Sequence, residues 1–214
     1  MSTLLHVCCA PCLVRCLAGF ASSGIDISAM RGFFYNPNIH PLIEFRRRVK
    51  ALRVFSARNP FPVTINEGYG LLDFLSWHSA SDAAFRPRFP GAAMAEGAES
   101  ESESDAEAGR YAPPGRCRRC YARRLGEVAL QAKREGHAAF MTTLQASRQQ
   151  DHALLMEEGE RAARENGLRY VYIDCRAAEP AEAAMRGLYK QSYCGCIFSE
   201  ADRYAGTRLH LEIE

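Results

Sequence analysis

The cysteines of this chain fall into short motifs whose spacing is typical of metal binding or electron transfer. There are nine cysteines in 214 residues. HVCCAPCLVRC contains Cys8, Cys9, Cys12 and Cys16. CRRC contains Cys117 and Cys120, and YCGC contains Cys194 and Cys196, while Cys175 lies outside these motifs. Thiol groups so distant in sequence predict a metal site, an iron–sulfur cluster or a redox dithiol.

The first two motifs predict metal ligands. Cys8 ends a predicted strand and Cys9 follows it, so the two point in different directions. Cys12 falls on the first turn of the next helix, where the dipole favours thiolate. Cys117 and Cys120 are three residues apart and so share one helix face. Two thiolates from each motif can hold Zn²⁺ or a [4Fe–4S] cluster, and a C-x-x-C at a helix start also occurs in thioredoxin-like redox pairs.

The third motif, YCGC, places Cys194 and Cys196 on either side of a glycine. Such a pair can close a strained, redox-active disulfide, or it can supply two ligands to a metal. Both alternatives predict electron transfer or metal binding rather than a structural bend.

The remaining pattern predicts alternating strands and helices. The predicted strands are 3–8, 27–36, 62–67, 139–144 and 168–174, and the predicted helices are 11–22, 41–58, 71–77, 117–135, 149–166 and 181–188. Repeated βα units predict a Rossmann-like α/β fold with a mostly parallel sheet and helices on both faces. CCAPC and YNPNIHP then lie at the carboxyl ends of strands, where such sheets bind ligands. The arginines between residues 46 and 53 predict the solvent-exposed face of an amphipathic helix.

Length and composition predict a single α/β domain, 1–214, with an acidic insertion. Residues 92–115 hold six acidic residues and one arginine, which gives this segment a net charge of −5. Since the whole chain has a net charge of +2, the remaining residues carry +7. A segment with so little to bury predicts a mobile insertion. The basic remainder is compatible with an anionic partner. We expect a cytoplasmic protein with no membrane segment, because no apolar run approaches about 20 residues and no signal peptide is visible.

Five segments together resemble a known family. LLHVCCAPC, FYNPNIHP, RCRRCYARRL, MTTLQASRQQ and LYKQSYCGCIFS resemble, in this order, the QueH-type epoxyqueuosine reductases, which are cobalamin-independent enzymes that complete queuosine in transfer RNA. The resemblance covers nearly the whole chain apart from the insertion. It implies a Rossmann-like fold and reduction of the epoxide of epoxyqueuosine, at the anticodon wobble base, to the alkene of queuosine.

The resemblance also implies a cofactor, partners and roles for individual residues. The [4Fe–4S] cluster would be bound by Cys8, Cys9, Cys117 and Cys120. Cys194 and Cys196 would be a redox-active pair, and Cys12 an additional ligand or redox group, for instance to an additional iron ion. Tyr35, Asn36, Tyr121 and Tyr193 would line the substrate pocket. The implied partners are the tRNA anticodon loop and an external electron donor. Cys16 and Cys175 match no motif, and we expect them to be buried.

On the residues alone, other functions stay open. A zinc-binding structural or RNA-binding protein would use the same four thiols as a Cys₄ site. A thiol–disulfide oxidoreductase would act on proteins without iron. A nucleotide-dependent tRNA-thiolating enzyme would need a phosphate-binding loop, but CCAPC contains no glycine.

Overall fold

The chain forms a five-stranded α/β structure, seen in a computed structural model that describes residues 2–79 and 115–204. The strands are β1 (Thr3–His6), β2 (Met30–Phe34), β3 (Val63–Ile65), β4 (Ala139–Thr142) and β5 (Arg169–Tyr170). The helices are α1 (Ala10–Ser22), α2 (Leu42–Ser56), α3 (Leu71–Ser79), α4 (Gly115–Arg134), α5 (His152–Asn166), α6 (Glu182–Met185) and α7 (Ile197–Tyr204), with a 3₁₀ helix at Thr143–Ala146.

The sheet is parallel throughout the described residues, in the order β3-β2-β1-β4-β5. All four residues of the central strand β1 are buried, as expected for a strand covered on both faces. From β1 the chain first builds outward through β2 and β3, and it later returns to add β4 and β5 on the other side. The carboxyl ends of β1 and β4 therefore form the point where strand order reverses, which is where sheets of this kind bind ligands.

Helices cover both faces of the sheet, as predicted. Leu5 of β1 packs into one apolar core together with Leu13 of α1 and Leu52 of α2. Its neighbour Leu4 packs into the other core together with Leu125 of α4. Successive strand residues point to opposite faces, so this short strand holds the two layers together. The predicted α/β fold is confirmed.

Element boundaries differ from the predicted ones near the carboxyl ends of strands. β4 ends at Thr142 because the Thr142 side chain accepts a hydrogen bond from the Leu144 N–H at 3.2 Å and begins the 3₁₀ helix. The strand predicted at 168–174 is reduced to β5, Arg169–Tyr170. Helix α7, directly after YCGC, was absent from the sequence prediction.

The acidic insertion predicted at 92–115 lies outside the described residues except for Gly115. Its mobility and the division of 1–214 into a single domain stay predictions. In the described parts of the chain, no helix combines the length and hydropathy that crossing a bilayer requires.

Candidate metal and redox site

The CCAPC thiols gather at the carboxyl end of β1. The sulfur atoms of Cys8, Cys9 and Cys12 lie within 4.8 Å of one another. Cys9 is the N-cap of α1, and its sulfur accepts a hydrogen bond from the Cys12 N–H at 3.4 Å. The cap fixes these two residues on one turn, while Cys8 approaches from the end of the strand. Thiols this close can share one metal ion or bind neighbouring irons of one cluster.

Polar neighbours from distant parts of the chain hold these thiols. Thr143, directly after β4, donates its hydroxyl to the Cys8 sulfur at 3.2 Å and accepts from the Cys8 N–H at 2.9 Å. The Gln191 amide donates to the Cys9 sulfur at 2.8 Å. A hydrogen bond from Cys12 is the main cause that holds the pKa of Cys8 well below its usual value, whereas burial raises the pKa of Cys9. Cys8 is therefore the thiol of this group that ionises most readily, and Cys9 and Cys12 would release protons on binding a metal.

The thiols of CRRC and YCGC line a cavity of about 530 Å³. Cys117 and Cys120 lie near the start of α4, and Cys194 and Cys196 lie in the turn that leads into α7. Burial raises the pKa of Cys117 to about 11. The sequence-predicted residues of these two motifs are thus brought together at one cavity.

Cys194 and Cys196 are electrostatically unequal. A hydrogen bond from Cys196 is the main cause that lowers the pKa of Cys194 to about 5, and the same bond raises the pKa of Cys196. Of the two, Cys194 is therefore the thiol that ionises more readily, and a thiolate beside a thiol is the form in which a dithiol is most readily oxidised.

Cys194 also connects this cavity with the CCAPC thiols. A second cavity, of about 420 Å³, is lined by Cys8, Cys12 and Cys194. Because Cys194 lines both cavities, thiols from all three motifs lie around two adjoining spaces.

The four-ligand set Cys8, Cys9, Cys117 and Cys120 stays a prediction. Cys117 packs against the apolar cluster that contains Cys8 and Cys9. Within the described residues, the three CCAPC thiols are the group close enough for a single ion. The ligands of an iron–sulfur cluster bind different irons and can lie farther apart than those of one ion.

Helix α2 fixes the YCGC turn. The guanidinium of Arg48, 2% exposed, donates to the carbonyl oxygens of Tyr193 and Cys194, each at 3.0 Å, and to Glu44 at 2.7 Å. Gly195 has a φ of +106°, and a Cβ there would lie 3.1 Å from the Arg48 guanidinium. The turn therefore requires glycine both for its backbone conformation and for the close approach of the arginine.

Two of the four residues predicted to line the substrate pocket lie at a cavity. Tyr121 lines the larger cavity, and Tyr193 lines both. Asn36 is buried, and its amide donates to the Val7 carbonyl at 2.8 Å, which braces the chain just before CCAPC. Tyr35 is half-buried at the end of β2 and packs against the core on the α4 side. The substrate contacts of all four stay predictions.

Other residues of the site were missed or misassigned from the sequence. Arg48 is buried, although it was predicted to lie on the solvent-exposed face of α2, because it pairs with Glu44. The spacing of four residues between Glu44 and Arg48 could have indicated this ion pair from the sequence. Asn38, His78 and Arg124 are buried and line the larger cavity. Within the described part of the chain, both amide atoms of Asn38, Nε2 of His78 and Nε of Arg124 have no hydrogen-bond partner. Such atoms fit a cavity that receives a polar group.

The two cysteines outside the motif spacings are buried, as predicted. Cys16 and Cys175 are both fully inaccessible to solvent. Both belong to the apolar core beneath α1, and neither lines the two thiol cavities.

A parallel α/β sheet with soft sulfur ligands gathered at its switch point defines a class of protein suited to iron–sulfur or zinc chemistry. The family model described as "Epoxyqueuosine reductase QueH" matches residues 3–86 and 94–202 of the chain. The chain therefore belongs to the QueH family of epoxyqueuosine reductases and is an oxidoreductase, which confirms the resemblance.

Individual relatives agree. The chain is 29% identical over 204 residues to the epoxyqueuosine reductase QueH of Dehalococcoides mccartyi, an alignment that covers 94% of this chain and 93% of that protein. It is 28% identical over 208 residues to the QueH of Thermotoga maritima, covering 94% and 92%. It is 31% identical over 205 residues to the QueH of Acinetobacter baylyi, covering 93% and 80%.

Proposed function

We propose that this protein reduces the epoxide of epoxyqueuosine, at the wobble position of a tRNA anticodon, to the alkene of queuosine. Membership in the QueH family supports the activity. The observation that best supports the redox centre is the position of Cys194, which lines both thiol cavities. A group held by the CCAPC thiols and the Cys194–Cys196 pair would then be neighbours.

The cofactor that we propose is a [4Fe–4S] cluster with Cys8, Cys9, Cys117 and Cys120 as ligands. Buried thiolates are soft ligands, and they favour iron–sulfur clusters and zinc over harder cations. Cys12 would be an additional ligand or redox group, for instance to an additional iron ion, since its sulfur lies beside those of Cys8 and Cys9.

The reaction consumes two electrons and two protons: the epoxide oxygen leaves as water, and its two carbons form a double bond. An iron–sulfur cluster supplies electrons singly, so a second redox element is needed. In our proposal this element is the Cys194–Cys196 pair or the additional iron. Oxidation of a thiolate–thiol pair to a disulfide releases two electrons and one proton. An external electron donor then reduces the pair again.

The second proton would come from a tyrosine hydroxyl, that of Tyr193, Tyr121 or Tyr35. Tyr193 lines both cavities, and its hydroxyl donates to the His40 carbonyl at 2.5 Å. The Tyr121 hydroxyl lies at the larger cavity, where it donates to Gln150 at 2.9 Å and accepts from the Asp151 N–H at 3.3 Å. Burial raises the pKa of Tyr121 and of Tyr193, so each hydroxyl keeps its proton until a stronger base, the oxygen of the opening epoxide, accepts it.

The tRNA anticodon loop suits this arrangement. A wobble base lies in a single-stranded loop and can be splayed into a pocket without melting a duplex. Since tRNA is a cytoplasmic substrate, we propose that the protein acts in the cytoplasm.

The first experiment is purification without oxygen, followed by the visible spectrum and the iron, sulfide and zinc content. A brown protein with iron and acid-labile sulfide, which reduces epoxyqueuosine in tRNA with dithionite as donor, supports the proposal. A colourless protein with one zinc and no iron uptake would overturn it in favour of a structural or RNA-binding Cys₄ zinc site.

The dithiol is tested by Cys194→Ala and Cys196→Ala, with Cys175→Ala as a buried control outside both cavities. We expect each of the first two variants to lose turnover while keeping its iron and sulfide. Full turnover in both, with the cluster intact, would leave the additional iron as the second redox element.

A further inference from the structure

Four cationic side chains line the cavity above Cys8, Cys12 and Cys194. Arg48 is buried and paired with Glu44, and the other three, Arg15, Arg148 and Lys190, form what we call its rim. We propose that this rim binds the RNA backbone, and that its three side chains contact phosphates flanking the nucleotide that enters. The inference rests on the proposed function, because it takes an anticodon loop as the partner. It names a binding surface that the thiol motifs do not define.

The charge of this cavity is of one sign. Its lining includes no aspartate or glutamate among the described residues. The larger cavity differs, since Asp151 and Asp202 line it together with its arginines. Phosphate oxygens attract cations and repel carboxylates, so the smaller cavity is the one whose rim suits a polyanion.

Among the described residues, the three rim cations also lack acidic partners. In residues 2–79 and 115–204, no carboxylate forms an ion pair with Arg15, Arg148 or Lys190. Arg15 donates to the Arg176 carbonyl at 3.3 Å, a contact that orients its guanidinium without neutralising it. Other arginines of the surface are matched by acids, for example Arg118 by Glu157 and Glu158, and Arg161 by Glu158 and Glu165.

The rim is assembled from separate segments. Arg15 comes from α1, Arg148 from the loop after the 3₁₀ helix, and Lys190 from the segment that leads into YCGC. Arg148 and Lys190 are exposed, and Arg15 is half-buried. The same segments carry Cys12 and Cys194 to the cavity floor, so a phosphate held at the rim would present its nucleotide to the thiols.

The cavity has a suitable size and polarity for one nucleotide. Its volume of about 420 Å³ lies within the range of roughly 300–1,000 Å³ common for ligand pockets. Gln149 and Gln150 supply amide groups to its wall. Enzymes that modify a base in RNA take it out of the stack, which leaves its two phosphates outside the pocket. Cations at the rim are therefore placed where these phosphates would lie.

The test is equilibrium binding of the holoprotein to a tRNA anticodon stem-loop at several salt concentrations. Arg15→Ala, Arg148→Ala and Lys190→Ala should each reduce the slope of log K against log salt by about 0.7, which is about 5-fold weaker binding at 0.1 M salt. The triple variant should lose about 100-fold. Lys50→Ala and Lys133→Ala remove the same charge from exposed positions that line neither thiol cavity, and they should bind as the wild type does.

The outcomes separate this inference from the proposed function. Rim variants that keep the wild-type slope and affinity would overturn the inference, even if the wild type reduces epoxyqueuosine. Rim variants that lose salt-dependent binding, with full iron content, support it even if no reduction is detected, a result that would refute only the proposed activity. Equal losses in Lys50→Ala and Lys133→Ala would also overturn it, because net charge rather than this rim would then explain binding.

Discussion

Replacing Arg48 by methionine tests whether the buried guanidinium holds the YCGC turn. Arg48 donates to the carbonyl oxygens of Tyr193 and Cys194 and to the Glu44 carboxylate. Methionine fills much of the same space but donates no hydrogen bond. Among the described residues, the Glu44 carboxylate, 4% exposed, would keep one donor, the hydroxyl of Tyr189 at 2.5 Å.

The expected cost follows from that geometry. Removing one partner of a buried ion pair leaves an uncompensated charge and typically destabilises a fold by about 3–5 kcal/mol. Two carbonyl oxygens of the YCGC turn also lose their donor, while the Tyr189 hydroxyl still solvates Glu44. We therefore expect Arg48→Met to lower the free energy of unfolding by about 3–5 kcal/mol.

The assay is urea unfolding without oxygen, on variants that have the same iron content. Arg47→Met is the matched control, since Arg47 is exposed and contacts Tyr189, with its guanidinium carbon 5.8 Å from the ring centroid. The cost of this substitution should stay below about 1 kcal/mol. The double variant Glu44→Gln with Arg48→Met removes the stranded charge and should be more stable than Arg48→Met alone. Equal stability of Arg47→Met and Arg48→Met would refute the reasoning.

Three further predictions concern the same region. Gly195→Ala should abolish most turnover, because its Cβ would lie 3.0 Å from Ile39 and 3.1 Å from Arg48 in a backbone conformation that favours glycine; wild-type turnover would contradict this. Burial lowers the pKa of His40 to about 4, so as pH falls below about 6.5 the unfolded state takes up the proton first. The buried neutral His40 should therefore lower the free energy of unfolding by about 2 kcal/mol at pH 5. Between pH 7.5 and pH 5, the free energy of unfolding should fall by about 2 kcal/mol less in His40→Gln than in the wild type. An equal fall in both proteins would exclude the effect. Cys16→Ala should keep the iron content of the wild type, since Cys16 is buried away from both cavities, and loss of iron would show that it is a ligand.

Much of the fold could be predicted because its elements are set by short-range patterns. The apolar run before CCAPC is β1, and the recurring Leu52 and Phe55 mark the buried face of α2. The order of strands was not available from such patterns, since it depends on which βα unit packs on which side of β1. The end of β4 was also placed too late, because Thr142 turns the chain through a side-chain hydrogen bond rather than a change in hydrophobicity.

The site shows the same division. Thiol spacing alone predicted that CCAPC, CRRC and YCGC carry the chemistry, because ligands carried on one turn lie one to three residues apart. The burial of Arg48 could not be read from an arginine-rich helix, since it depends on carbonyl groups 145 and 146 residues away. The shared position of Cys194 at both cavities likewise depends on how the carboxyl-terminal segment packs.

The sequence by itself determined the kinds of ligand, their local spacing, the alternating elements and the family. These properties depend on a few neighbouring residues, whose backbone geometry and periodicity act over one or two turns. Only the tertiary structure decided that Cys8, Cys12 and Cys194 share a cavity, and that Arg148 and Lys190 stand at its rim. Contacts between such distant segments require the whole core to form, because packing across the sheet offsets the entropic cost of closing long loops.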